Sequence, residues 1–306
     1  MLYDAAVIGA GPAGLTAGIY LARYGLKTVI LEKMFAGGQA STTYEIENYP
    51  GFVDGIGGPE LALRMEEQAR KFGAEIKYDE VKALTLKGDI KTITTAKDEE
   101  VTARGIILAM GAQPRELGLK NEGRLRGAGV SYCATCDGAF YKGKRVIVVG
   151  GGDTAVEDAL FLSKLAAGVH LVHRRDELRA VKSLQQKMLS NDKVKIIWDS
   201  VVTEIIGEDR VTGVEIANKK TGRRFEMEVD GVFIAIGLVP NSSLVKGMVK
   251  MTDEGYIITD ENMWVGIDGV FAAGDIRQKP LRQVVTSASD GAVAATGLQR
   301  YISKNF

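Results

Sequence analysis

The 306-residue chain is short of the residues that mark a secreted or metal-stabilised protein: it has two cysteines, two histidines, two tryptophans and six prolines. Two cysteines cannot build the disulfide framework of a small secreted domain. No apolar run approaches the roughly 18 residues needed to cross a bilayer, and the N-terminal M-L-Y-D carries an acid where a signal peptide carries lysines. A cytoplasmic protein is expected. An excess of one charge sign is also missing, because Lys plus Arg and Asp plus Glu both number 39. That balance gives no footing for a nucleic-acid or anionic-membrane partner. The remaining composition, 45% hydrophobic and 25% charged, is that of a globular chain long enough for two domains.

What the chain does have is patterned glycine. Residues 3–8, Y-D-A-A-V-I, read as a strand, G-A-G-P-A-G follows, and L-T-A-G-I-Y-L-A-R-Y places apolar residues at helical spacing. In such a strand–turn–helix Gly9 permits the tight turn, Gly11 admits a pyrophosphate close to the backbone, and Gly14 lets helix pack on strand. The helix N-terminus then faces the phosphates. A second strand, K-T-V-I-L-E, ends at Glu32, 23 positions after Gly9, where a carboxylate accepts hydrogen bonds from a ribose 2'-OH.

A second copy begins at K-R-V-I-V-V (144–149) and continues as G-G-G-D-T-A, with Gly150, Gly152 and Ala155 repeating the fingerprint. The two halves also close alike, on I-I-L-A-M-G-A-Q-P (106–114) and V-F-I-A-I-G-L-V-P (232–240), so two domains of similar plan are expected. Counting 23 residues from Gly150 lands on His173, inside H-R-R-D-E-L-R-A. Arg174, Arg175 and Arg179 stand where the first copy has an acid. Guanidinium groups bind a 2'-phosphate bidentately and a carboxylate repels it, so the second site suits NADP(H). The bland alternative is a solvated segment in which Asp176 and Glu177 pair with the arginines.

If NADP(H) binds second, FAD is the natural electron partner for the first site. Near the C-terminus G-D-I-R-Q-K-P-L-R-Q puts Asp275 at a strand end before a helical pattern, where an acid holds a polyol and the helix dipole faces a flavin ring. The cysteines, Cys133 and Cys136 in S-Y-C-A-T-C-D-G, leave redox, metal and structural readings open by spacing alone.

G-A-G-P-A-G, G-G-Q (37–39), E-N-Y-P-G (47–51), C-A-T-C-D-G (133–138), G-G-G-D-T-A, H-R-R-x-x-x-R-A, G-D (274–275) and R-Q (282–283) occur in that order. Over nearly its whole length the chain resembles the bacterial-type, low-molecular-weight thioredoxin reductases. The resemblance implies an α/β fold of two Rossmann-like three-layer domains, the second inserted into the first. It implies an FAD-binding domain over 1–114 and 245–306, and an NADPH-binding domain over 115–244 carrying the cysteine pair. It also implies a homodimer and a thioredoxin-like partner. The implied cofactor residues in the first domain are Gly9, Gly11, Pro12, Ala13, Gly14, Glu32, Lys33, Gly38, Gln39, Asn48, Val81, Ala109, Gly111, Gly274, Asp275, Arg282, Gln283 and Val284. Those in the second are Gly152, Asp153, Thr154, Ala155, His173, Arg174, Arg175, Arg179, Ile236 and Gly237. Ser289 and Asp290 depart slightly from the family pattern, in which a glycine is common at the first of the two.

A metal site built from Cys133, Cys136, His170 and His173 is disfavoured, because the interval between the pairs far exceeds the roughly 12 to 15 residues of a finger. No metal is expected. Asp137 beside the pair favours chemistry, since a disulfide that accepts two electrons must take up a proton. By resemblance, Cys136 faces the flavin and Asp137 is the acid. Electrons are expected to run from NADPH through FAD and the Cys133–Cys136 pair to a protein disulfide. Rotation of one domain against the other would let both the nicotinamide and the disulfide reach the flavin. Relatives that work with ferredoxin lack either the dithiol or the arginines, and both are present here.

Overall fold

The computed structural model describes residues 1–43 and 45–306. The chain divides into two compact units, one formed by Met1–Gln113 with Val239–Phe306, the other by Pro114–Leu238. The first stretch runs β1 (Leu2–Ile8), α1 (Pro12–Arg23), β2 (Thr28–Glu32), α2 (Gly58–Lys71), β3 (Glu75–Tyr78), β4 (Val81–Thr85), β5 (Lys91–Thr95), β6 (Glu100–Leu108) and β7 (Ala112–Pro114). The middle runs β8 (Val130–Ser131), α3 (Ala134–Asp137), β9 (Arg145–Gly150), α4 (Asp153–Leu162), β10 (Gly168–Val172), α5 (Lys182–Leu189), β11 (Val194–Ile197), β12 (Ser200–Ile206), β13 (Gly213–Asn218), β14 (Arg224–Glu228), β15 (Gly231–Ala235) and β16 (Leu238–Pro240). The chain ends with β17 (Trp264–Ile267), β18 (Val270–Ala272) and α6 (Val284–Asn305).

In the first unit the sheet order is β17-β18-β6-β1-β2-β3, parallel from β18 to β3. The β4–β5 hairpin pairs antiparallel with the front half of β6. Parallel strands are covered on both faces and read as continuous apolar runs, and β1 shows why. Ala5 and Val7 point to the layer of α1, α2 and α6, while Tyr3, Ala6 and Ile8 point to the opposite cluster with Ile93, Val245 and Ile257.

The helix layer depends on close backbone approach. At Gly291 of α6 a Cβ would collide with the Ala13 carbonyl of α1, and at Gly18 of α1 it would collide with Ile30. Gly291 lets α6 lie against α1, and Gly18 lets α1 lie against β2.

The second unit has a five-stranded parallel sheet ordered β11-β10-β9-β15-β8. Val146, Val148, Leu171 and Phe233 face α4 and α5. Ile147, Val149, Val172, Val232 and Ile234 face the antiparallel sheet β12-β13-β14. Each unit is thus a three-layer α/β sandwich of the expected class. Two short strands, β7 and β16, pair where the chain passes between the units.

Gly291→Ala should destabilise the first unit by about 1–3 kcal/mol, because the obstructing atoms are backbone and cannot swing away. Thermal unfolding followed by circular dichroism checks this; an unchanged midpoint would show that the α1–α6 crossing tolerates a methyl group.

Candidate active site

The chain reverses at Gly9, whose φ of 101° is left-handed, and a Cβ there would stand 2.5 Å from the Ala109 carbonyl oxygen. Glycine is required by the neighbouring strand as well as by the turn. Gly11 instead opens onto empty space, with only the Gly38 Cα as near as 4.0 Å from a Cβ placed there. The G-G-Q segment is held on the turn by the Gly37 amide, which donates to the Ala10 carbonyl at 2.7 Å. A strip of bare backbone therefore leads to the N-terminus of α1, where no side chain caps Gly11 and Pro12 and Ala13 begin the first turn. Such a cradle fits a pyrophosphate.

Glu32 borders it: Oε2 accepts the Ala10 N–H at 2.9 Å and Oε1 the Met34 N–H at 3.1 Å. Each oxygen keeps a lone pair for a ribose hydroxyl. Lys33 and Gln39 are exposed beside it, and Gly111 turns the chain at φ 67° just after β6 and Ala109. Val81, at the head of β4, packs on the far-face cluster that contains Ile8 and Leu31.

The C-terminal motif meets this turn at Gly274, where φ is 80° and a Cβ would press to 2.8 Å of the Ala13 Cβ. Asp275 follows, its Oδ1 accepting from Ser287 Oγ at 3.0 Å; burial pushes its carboxyl upward against the pull of Lys279. Gln283 and Thr286 form a reciprocal capping box ahead of Val284, the first residue of α6. The Asn48 side-chain amide donates to Gln283 Oε1 at 3.1 Å, joining E-N-Y-P-G to R-Q. The Arg282 guanidinium stacks 4.1 Å from the centroid of the Tyr256 ring.

In the second unit a Cβ on Gly150 would collide with the Ala235 carbonyl, while Gly152 has open space where its Cβ would be and no side chain caps α4. Asp153 and Thr154 are exposed and Ala155 is buried at this turn. His173, only 4% exposed, does not point outward. Its ring lies against Gly151, with Nδ1 2.8 Å from the Gly150 carbonyl oxygen and Nε2 3.0 Å from that of Glu177. It forms the floor of the glycine turn, and the residues after it carry the charge. The Arg179 amide donates to the Gly151 carbonyl at 2.7 Å and the Val181 amide to Asp153 Oδ1 at 2.7 Å, tying the arginine arm back to the turn.

Arg174, Arg175 and Arg179 are exposed, and among the described residues none of them makes an ion pair. Asp176 pairs with Lys220 at 2.7 Å instead, so the bland pairing does not form. Ile236 and Gly237, the latter at φ 104°, close the turn beyond β15.

Cys133 and Cys136 form a disulfide across α3. Cys133 caps this short helix: its Sγ accepts the Cys136 N–H at 3.2 Å and lies 3.5 Å from Thr135 Oγ1. Burial pushes the Asp137 carboxyl above the usual carboxylate range, although Ser131 and Arg126 both favour its charged form. His170 lies apart on β10, and among the described residues no group of His, Cys, Asp and Glu is arranged to hold a metal.

Sequence reasoning missed the supports of this turn. Ser131 Oγ donates to Asp137 Oδ2 at 2.6 Å and accepts the Cys133 N–H at 3.1 Å. Glu122, 2% exposed, accepts the amides of Leu117, Gly118 and Leu119 and the Tyr132 hydroxyl, all between 2.8 and 3.1 Å. The Arg126 guanidinium lies 4.9 Å from the centroid of the Tyr132 ring. Serine and tyrosine directly before the first cysteine were the only signal, and nothing marked Glu122.

Residues 3–291 match the pyridine nucleotide-disulphide oxidoreductase family. A thioredoxin reductase of Peptoclostridium acidaminophilum is 50% identical, with 100% of this chain and 98% of the relative covered. The crystal structure of thioredoxin reductase from Streptococcus pyogenes MGAS5005 superposes with a TM-score of 0.94 at 47% identity, covering 99% of both chains. A Lactococcus lactis thioredoxin reductase, described as the FR conformation, gives 0.69 at 43% identity over 99% of both chains.

Replacing Arg174 and Arg179 together by alanine should raise KM for NADPH about a hundredfold while leaving KM for NADH within about twofold, since each charge-assisted bond contributes about 1.5–3 kcal/mol. Steady-state kinetics with both nucleotides checks it; equal losses for both would show that the arm does not read the 2'-phosphate.

Proposed function

The chain belongs to the pyridine nucleotide-disulphide oxidoreductase family, among its thioredoxin reductases, and on that footing we propose that it is an NADPH-dependent flavoprotein reducing the disulfide of thioredoxin or a thioredoxin-like protein. The observation that carries this reading is a disulfide next to a half-buried acid, in the unit whose glycine turn carries unpaired arginines. When bound, NADPH supplies a hydride and FAD relays the two electrons to a disulfide.

In the first unit Gly9–Gly14, Glu32, Gly38, Asp275 and Gln283 would hold FAD. In the second, Gly152–Ala155 with Arg174, Arg175 and Arg179 would hold NADPH, with His173 as the floor of the site. Two electrons reaching the Cys133–Cys136 bond break it; Asp137 gives its proton to the Cys136 sulfur, and the Cys133 sulfur is left as thiolate. The Cys136 amide and the Thr135 hydroxyl both lie on Cys133 Sγ and favour that thiolate, so Cys133 is the sulfur that attacks the partner. A mixed disulfide forms as one partner sulfur leaves. Cys136 then returns its proton to Asp137 and attacks Cys133, restoring the original bond and releasing the second partner sulfur.

Such a cycle asks the disulfide to meet the flavin and then a protein, which rotation of two rigid units about two crossings provides. No helix of the described residues is long and apolar enough to cross a membrane. A homodimer and a cytoplasmic location complete the reading, by kinship with the family.

In anaerobic titration, NADPH should bleach the flavin of both wild type and Cys136→Ser, and only the wild type should then reduce thioredoxin. Disulfide reduction surviving in Cys136→Ser would sink the proposal. A cross-link fixing the two units in one orientation should stop turnover yet spare one half-reaction in stopped-flow absorbance. A locked enzyme cycling at full rate would remove the rotation.

A further inference from the structure

Ser131 sits at 3% exposure on β8, and its hydroxyl has three neighbours within hydrogen-bond distance. It accepts the Cys133 N–H at 3.1 Å, donates to Asp137 Oδ2 at 2.6 Å, and has the Cys133 carbonyl oxygen at 3.3 Å as a second acceptor. A serine hydroxyl has one proton and two lone pairs. The Cys133 amide occupies one lone pair permanently. The proton is therefore left with two places to go, the carboxylate or the carbonyl.

We propose that Ser131 is a positioning residue whose hydroxyl rotates between Asp137 and the Cys133 carbonyl, keeping the acid hydrogen-bonded both before and after it gives up its proton. The inference rests on the reading of Asp137 as the proton donor. With Asp137 protonated, its O–H donates to Ser131 Oγ and the serine proton points to the Cys133 carbonyl. When the disulfide opens, two electrons break the S–S bond, the Asp137 proton forms the Cys136 S–H, and a carboxylate remains. The serine proton then swings to that carboxylate. No polar group that Ser131 serves in this half-buried turn is orphaned in either state, and an orphaned one would destabilise that state.

The charge on Asp137 is set by a few groups. Burial disfavours it; Ser131 and Arg126 favour it. Tyr141, on the turn that follows α3, feels Asp137 in return. The helix α4, which packs against α3, carries two further acids, Glu157 and Asp158, and burial pushes the Asp158 carboxyl up to about 7. Removing the serine hydroxyl takes a hydrogen bond from both forms of Asp137, and the bond to the charged form is the stronger of the two, so the Asp137 titration moves to higher pH.

Infrared difference titration of the oxidised holoenzyme tests this, with Asp137→Asn identifying the Asp137 band against that of Asp158. Ser131→Ala should move the Asp137 midpoint up by about one pH unit, the order expected for the difference between a charge-assisted and a neutral hydrogen bond. Ser131→Thr, which keeps the hydroxyl, should leave it in place. In single turnover the alkaline fall in disulfide opening, where Asp137 loses its proton, should move upward with Ser131→Ala by the same amount. An unmoved infrared midpoint in Ser131→Ala, or an equal shift in Ser131→Thr, overturns the proposal whatever happens to the rate. If Ser131→Ala does not retain flavin, Ser131→Gly makes the same comparison. Wild-type disulfide opening in Asp137→Asn would instead overturn the acid role of Asp137, and the infrared arm still decides whether Ser131 controls its proton.

Discussion

Both halves of the molecule are organised by the same close approach, a glycine at the end of one parallel strand lying against a carbonyl at the end of its neighbour. Gly9 abuts Ala109 and Gly150 abuts Ala235, and in each case a Cβ would occupy the space of the carbonyl. Ala109 and Ala235 hold the same place in the repeated closing segments I-I-L-A-M-G and V-F-I-A-I-G. The repetition in sequence thus reflects one steric requirement met twice. Because the strand ends approach so closely, each helix begins immediately over the turn with its first amides uncapped, which makes an anion cradle. What most distinguishes the two cradles is charge: a carboxylate hydrogen-bonded to the first, an arm of exposed guanidinium groups tied by its backbone to the second.

The redox turn obeys a different balance. Asp137 lies where desolvation favours its neutral form, and the two groups that oppose this, Ser131 and Arg126, are too weak to reverse the direction. An acid meant to deliver a proton needs that outcome, since a fully stabilised carboxylate would have none to give. The elements around it keep the balance fixed. Glu122 gathers three successive amides and the Tyr132 hydroxyl, and Tyr132 offers its ring face to Arg126. Tyr132, between β8 and Cys133, is therefore held at both its hydroxyl and its ring, and the disulfide follows a firmly anchored residue.

How much of this was legible depended on whether the signal was local. The glycine turns, the acid at Glu32 and the arginine arm follow from spacing along one strand–turn–helix, so the sequence carries them. His173 shows the limit of counting: the register from Gly150 reaches the right position, but position does not give direction, and the ring turns inward under Gly151. Glu32 likewise spends one bond of each oxygen on backbone amides. Glu122 and the meeting of Asn48 with Gln283 join segments that only the fold brings together, and no local pattern announces them.

The start of α6 gives the same lesson in electrostatics. Ser289 and Asp290 look like a paired departure in sequence, yet Ser289 is exposed and Asp290 is buried. Burial alone would raise the Asp290 carboxyl, but hydrogen bonds from Arg277 and Lys279 outweigh it and hold it below the usual range. Its Oδ2 receives Arg277 Nε at 2.8 Å, Lys279 Nζ at 2.8 Å and the Gly274 amide at 3.1 Å. Lys279, whose side chain is 3% exposed, also stands 3.9 Å from Asp275. Two acids and two bases are thus enclosed together, and breaking such a set by removing one partner costs about 3–5 kcal/mol because a buried charge is left alone. Asp275 keeps an upward-shifted carboxyl because burial outweighs the pull of Lys279, the Ser287 hydrogen bond and Arg282, and the charge of Asp290 adds to the upward push. Asp290 therefore reaches Asp275 in two ways, by its own negative charge and through Lys279, which stands within reach of both carboxylates.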